Sequence, residues 1–243
     1  MSRVFITGDL HGNIDIKKLN SKNFPEGNSL TKEDYVIICG DFGLVWNNSA
    51  EELYWRKWLD EKPWTTLFVD GNHENFNLLN DYSICEWKGG RIQKISSSIY
   101  HLMRGEVYED LGGYRIFTFG GAYSHDRQYR TENKTWWRAE MPTKEEAKRA
   151  DLTLAAVDND VDIIITHDCP SHIIRSICPY DIITHQVDIE YGNDYEDINY
   201  ELEYIYNKIN FKEWYFGHYH VNTKVKGLQC CYNKIYELPH KED

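Results

Sequence analysis

Short apolar runs recur along the chain, and the most regular of them stop at or just before a glycine or a histidine. Residues 3–7 run into Gly8-Asp9 and residues 35–39 into Gly40-Asp41. Residues 65–69 close just before Gly71-Asn72-His73, 162–166 before His167, and 213–216 before Gly217-His218. Unbroken short apolar runs of this kind predict strands buried on both faces. Residues 50–60 carry Leu53, Trp58 and Leu59 at helical spacing among charges. Ser49 ahead of them, with Glu52 three residues on, is a capping-box pattern. Residues 143–157, with Pro142 in front, predict an amphipathic helix, and 199–209 another. The middle is strand-rich, at 92–95, 98–103, 107–108 and 114–119. The tail holds short strands at 224–226, 228–232 and 234–238. Strand–helix alternation at both ends of a β-rich middle predicts an α/β protein of two packed sheets with helices outside. No proline-rich linker divides it, so residues 1–243 are expected to form a single domain.

Composition narrows the function. The chain of 243 residues has 27 Lys+Arg against 39 Asp+Glu, a formal net charge of −12. A surface that wraps long nucleic acid needs a basic face, so extended nucleic-acid binding is not expected. No apolar stretch approaches the roughly 18 residues of a membrane span, and the opening residues lack a secretory apolar core. The six cysteines form no C-x-x-C pair. They read as reduced thiols of a cytoplasmic protein, with Cys230 and Cys231 on opposite faces of a strand.

The candidate chemistry sits at the strand ends. They read Gly8-Asp9-Leu10-His11-Gly12, Gly40-Asp41-Phe42-Gly43, Gly71-Asn72-His73-Glu74, Thr166-His167-Asp168 and Gly217-His218-Tyr219-His220. Carboxyl ends of strands are where open α/β sheets bind ligands. In extended chain, residues i and i+2 share a side, so Asp9 and His11 can face one site, as can His218 and His220. The oxygen and imidazole donors, without thiolate, suit manganese, iron or zinc. Seven such side chains are too many for one ion; two ions sharing Asp41 fit better.

These five motifs, in this order from Asp9 to His220, resemble the calcineurin-like metallophosphoesterase superfamily. The resemblance implies a four-layer α/β/β/α sandwich with two mixed β-sheets packed face to face. It implies that Asp9, His11 and His220 hold one divalent ion with one oxygen of Asp41. Asn72, His167 and His218 would hold the second with the other oxygen. A hydroxide bridging the ions would attack phosphorus, and His73 would act as the catalytic histidine, protonating the leaving oxygen or steadying phosphoryl charge. Asn72 would also touch the substrate.

The second motif departs from the protein phosphatases of this superfamily. Asp41 is followed by Phe42, Gly43 and Leu44, without the second acid and arginine of that branch. The Gly217–His220 ending is more similar to the phosphoesterase and phosphodiesterase branches. Another group must then grip phosphate. The segment 120–142 offers Tyr123, His125, Arg127, Arg130, Trp136, Trp137 and Arg138, with Arg127 the first choice; 168–199, with Tyr180, His185 and Tyr191, reads as a second rim. His101, His172, His185 and His240 read as structural or surface residues. The expected activity is hydrolysis of a small or locally presented phosphomono- or phosphodiester. A nuclease acting on oligonucleotides and a non-catalytic scaffold are the alternatives.

Overall fold

In a computed structural model, which describes residues 2–178 and 191–240, the apolar runs become strands with no exposed face. Strands β1 (Val4–Thr7), β2 (Tyr35–Ile38) and β3 (Thr65–Phe68) are buried at every position. Helix α1 (Ala50–Asp60) and the short α2 (Phe76–Asn80) flank β3 in sequence. A hairpin of β4 (Ile84–Trp87) and β5 (Gly90–Lys94) follows, then β6 (Ile99–Leu102). Strands β7 (Glu106–Leu111) and β8 (Tyr114–Phe119) pair antiparallel. After them come α3 (Lys144–Ala155), β9 (Ile163–Thr166), α4 (Ser171–Ile177), α5 (Ile198–Lys208) and β10 (Glu213–Phe216). Three short strands close the chain: β11 (Thr223–Val225), β12 (Leu228–Cys230) and β13 (Tyr236–Glu237).

These strands form two mixed sheets, in the order β13-β1-β2-β3-β6-β5-β4 and β11-β12-β10-β9-β8-β7. Strands β1, β2, β3 and β6 run parallel, as do β8, β9, β10 and β12. The period of two explains the layers. Val4, Ile6 and Ile37 from one sheet meet Ile116, Ile163 and Ile165 from the other. Their alternates point outward: Phe5, Val36 and Phe68 pack with Leu59 of α1, while Ile164 and Trp214 pack with Leu154 of α3 and Leu202 of α5. The result is the four-layer α/β/β/α sandwich. Cys230 faces the outer layer and Cys231 the space between the sheets.

Several local features differ from expectation. The 88–89 connection of β4 to β5 has positive φ at both Lys88 (48°) and Gly89 (87°), the two-residue hairpin geometry. The apolar pattern hides it because β4 is an exposed edge. Glu52 does not complete the capping box on Ser49. Ser49 Oγ accepts the Glu52 N–H, but the Glu52 carboxylate turns back to the N–H groups of Trp46, Asn47 and Asn48. The full box forms at α3, between Thr143 and Glu146. Tyr180 and His185 lie outside the described residues.

Candidate metal centre

The carboxyl ends of β1, β2, β3, β9 and β10 converge, bringing together residues far apart in sequence. The carboxylate of Asp41 occupies the middle. Its Oδ2 lies 3.3 Å from His11 Nε2, and its Oδ1 lies 3.3 Å from His167 Nε2. One carboxylate thus addresses two different imidazoles with different oxygens. On the His11 side, donor atoms of Asp9, His11, Asp41 and His220 all lie within 4.8 Å of one another. On the other side, Asn72 Oδ1 is 3.3 Å from His167 Nε2, and the His218 ring centroid is 5.1 Å from that of His167.

Surrounding contacts aim the donors. His167 Nδ1 is 2.7 Å from the Cys39 carbonyl, and His11 Nδ1 is 2.9 Å from Asp15 Oδ2. Both contacts place the proton on Nδ1 and leave Nε2 as the ligand atom, the usual device of metal-binding histidines. Asn72 Nδ2 donates to Ser124 Oγ, which donates in turn to buried Glu140. Asp9 Oδ1 accepts the His218 N–H at 3.0 Å. Asp9 Oδ2 is buried without a hydrogen-bond donor, although His220 Nε2 stands 3.0 Å away. A buried carboxylate oxygen left open is costly unless a cation takes it. The donor set, the orphaned oxygen and the aimed Nε2 atoms fit divalent metal ions.

The backbone is bent to achieve this. His11, Asp41, His218 and His220 all have positive φ, of 46°, 45°, 66° and 50°, a conformation that costs a non-glycine residue roughly 1–2 kcal/mol. Such strain collects at functional sites. The glycines make room: a Cβ on Gly40 would lie 2.2 Å from His167 Nδ1, and one on Gly217 would lie 2.2 Å from Asp9 Oδ1.

The electrostatics match two crowded carboxylates. Burial alone would raise Asp41, but the charge of His167 and the hydrogen bond from His11 hold it well below the usual carboxylate range. Burial works against the protonated forms of His11 and His167, yet Asp41 outweighs it and raises them to about 9 and about 10. His218 is pushed down to about 4, chiefly by burial. The shifts of the imidazoles that face Asp41 report how strongly this carboxylate cluster attracts positive charge.

His73 lies at the rim. Its backbone N–H donates to Asp41 Oδ1 at 2.8 Å, and its ring meets that of His11 edge-on, with centroids 5.7 Å apart. Burial, and then the cation of Arg130, lower its pKa, against the pull of Asp41. Arg130 has Nη2 3.3 Å from His73 Nε2, and Asp126 anchors it through Nε at 2.7 Å. Arg127 is placed elsewhere: it donates to the Tyr123 hydroxyl and lies over the rings of Tyr123, Trp136 and Tyr191. His125 stacks on His218, with centroids 5.7 Å apart.

Sequence reasoning passed over three supports. Lys18 is buried and donates to the carbonyls of Gly8, Asp9 and Tyr232 at 2.8, 2.6 and 2.9 Å. Burial pushes its ammonium down to about 8. Glu74 accepts the Phe42 N–H at 2.6 Å and so fixes the turn after Asp41. Asp70 sits between Arg104 and His101, 2.9 Å from Arg104 Nε and 3.0 Å from His101 Nε2. Only Glu74 carried a signal, as the residue after Asn72-His73.

Residues 2–222 match the family model described as calcineurin-like phosphoesterase. The chain belongs to that family. Among curated proteins it is similar to lariat debranching enzyme A of Xenopus laevis, 25% identical over 188 residues, covering 70% of this chain and 34% of that protein. It is 24% identical to the lariat debranching enzyme of Arabidopsis thaliana over 186 residues, 69% of this chain and 42% of that one. It is 26% identical to the human lariat debranching enzyme over 189 residues, 70% and 33%. The matched region is therefore less than half the length of each of these relatives. Among the described residues, no helix is long and apolar enough to cross a membrane.

Proposed function

We propose that this protein hydrolyses a phosphodiester at a dinuclear centre shared through Asp41. The observation that carries the reading is the splitting of the Asp41 oxygens between His11 and His167. Asp9, His11 and His220 would hold one divalent ion with Asp41; Asn72, His167 and His218 would hold the other. When bound, the ions supply positive charge that neutralises phosphoryl oxygens and activates water for attack. The remaining work falls to this chain. Arg130 offers planar donors to the non-bridging phosphoryl oxygens. His73, held at its backbone by Asp41, presents its ring to the leaving oxygen, which takes up a proton as the phosphorus–oxygen bond breaks.

A diester is favoured over a monoester because the relatives are debranching enzymes, which are phosphodiesterases. The net charge of −12 favours a small or locally presented phosphoester over a long polyanion. A panel of phosphomonoesters, linear and cyclic diesters and dinucleotides, run with manganese, iron or zinc after chelation, tests the reading. Turnover of diesters above monoesters supports it. Turnover confined to monoesters, or unaffected by chelation, removes it.

A further inference from the structure

A cleft of about 290 Å³ opens beside the metal centre, and His11 and His73 form its inner edge. Ile14, Leu44, Trp46 and Trp55 give it apolar walls, while Asn13, Asn47 and Glu51 give it polar atoms. No lysine or arginine is among the described residues that line it. Ile14 is 73% exposed, an apolar side chain turned to solvent at the mouth of a polar centre.

The cleft is built rigidly. The Glu52 carboxylate accepts the N–H groups of Trp46, Asn47 and Asn48 at 3.0, 2.7 and 3.1 Å. Arg56 braces the same loop through the Leu44 carbonyl at 2.8 Å and Asn48 Oδ1 at 3.0 Å. Asn75 Nδ2 donates to the Trp46 carbonyl at 2.6 Å. Across the cleft, Asn13 Nδ2 donates to Glu51 Oε1 at 2.7 Å. None of these bonds holds a candidate metal ligand.

We infer that this cleft is a subsite for a nucleobase carried on one ester oxygen of the substrate. The inference rests on the phosphodiesterase reading. A phosphoryl group seated at the metal centre, beside the contacting rings of His11 and His73, would direct one ester substituent into the cleft. Glu51 repels a further phosphate and no lysine or arginine in the described lining offsets it, so the occupant is uncharged. Indole faces and a branched aliphatic side chain stack on a planar ring. The Asn13 and Asn47 amides carry both donors and acceptors, which is what the edge of a heterocycle needs.

Two measurements test this. In the first, saturation-transfer NMR uses adenosine, with ribose as control, on the full-length protein. Adenosine base protons should take up saturation and ribose should not. Trp55→Ala should abolish the transfer and Ile14→Ala should weaken it; the exposure of Ile14 makes that variant safe for folding. Absent transfer, or transfer that survives both substitutions, overturns the subsite. In the second, kcat/KM is compared for thymidine 5′-(p-nitrophenyl phosphate) and methyl p-nitrophenyl phosphate, which share a leaving group. The wild type should prefer the nucleoside ester about tenfold, and Trp55→Ala should remove most of that preference. Hydrolysis of both esters with a preference that neither variant moves overturns the subsite alone. Hydrolysis of neither ester with any divalent ion overturns the phosphodiesterase reading, and the adenosine measurement still decides the subsite.

Discussion

Gly71 stands so close to Asp41 that a Cβ on it would fall 2.1 Å from the Asp41 Oδ1 atom and 2.5 Å from its backbone nitrogen. Neither partner can yield without moving the carboxylate that addresses both His11 and His167. Gly71→Ala is therefore expected to weaken metal binding at least about tenfold, and overpacking of this kind destabilises by roughly 1–3 kcal/mol. Metal titration by calorimetry reads the first effect and thermal melting the second. Wild-type affinity in Gly71→Ala would show that Asp41 has more room than its contacts indicate.

Asp41→Asn keeps the shape of the side chain and removes its charge. Both halves of the centre should weaken together, so metal content and diesterase activity should fall in parallel, with activity down at least about 100-fold. Elemental analysis beside kinetics makes the comparison. Full activity in a metal-free Asp41→Asn preparation would end the dinuclear account.

Arg130 and His73 should separate binding from proton delivery. Arg130→Ala is expected to lower kcat/KM by about 10–100-fold while metal content holds, with Arg130→Lys recovering only part, because a lysine lacks the planar fork. Arg127→Ala should cost less, since that guanidinium lies against Tyr123, Trp136 and Tyr191. His73→Ala should slow esters with poor leaving groups most. An equal loss on p-nitrophenyl and alkyl diesters would assign His73 to charge stabilisation instead.

The buried Asp70–Arg104 pair supports the loop that carries Asn72. Arg104→Ala leaves a buried carboxylate with only His101 beside it, and breaking a buried pair from one side costs about 3–5 kcal/mol. Urea unfolding measures it. A loss below about 1 kcal/mol would mean that water replaces the guanidinium freely.

Glu201 on α5 gives a pH dependence away from the metal centre. Burial, then Asp151 and Glu196, raise its carboxyl from 4.5 to about 7, with Lys208 opposing. Between those values the folded chain keeps a proton that the unfolded chain releases. Stability therefore falls as pH rises through this window, and the penalty is absent below it. Solvent screening of this part-exposed group limits the effect to about 1 kcal/mol or less. The melting temperature of Glu201→Gln should draw ahead of wild type from pH 5 to pH 7 and then run parallel. A constant difference from pH 4 to pH 8 would contradict it.

The linear pattern already carried the architecture and marked the candidate metal ligands. Strands buried on both faces must be unbroken apolar runs, and a ligand at the carboxyl end of such a strand must follow it within a few residues. Local chemistry therefore marked Asp9, His11, Asp41, Asn72, His167, His218 and His220 without any knowledge of how the strands pair. What the pattern could not rank were residues whose role depends on distant partners. Arg130 and Arg127 are equivalent arginines in one loop until the fold brings Arg130 to His73, 57 residues away in sequence. Lys18 reads as a surface lysine until three carbonyls, one of them on Tyr232, close around it. The cleft of Ile14, Trp46 and Trp55 joins segments that share no periodicity. Periodicity and turn chemistry are short-range properties that a sequence displays directly. The choice among similar side chains is made by contacts between residues far apart in the chain, which exist only once the two sheets have packed.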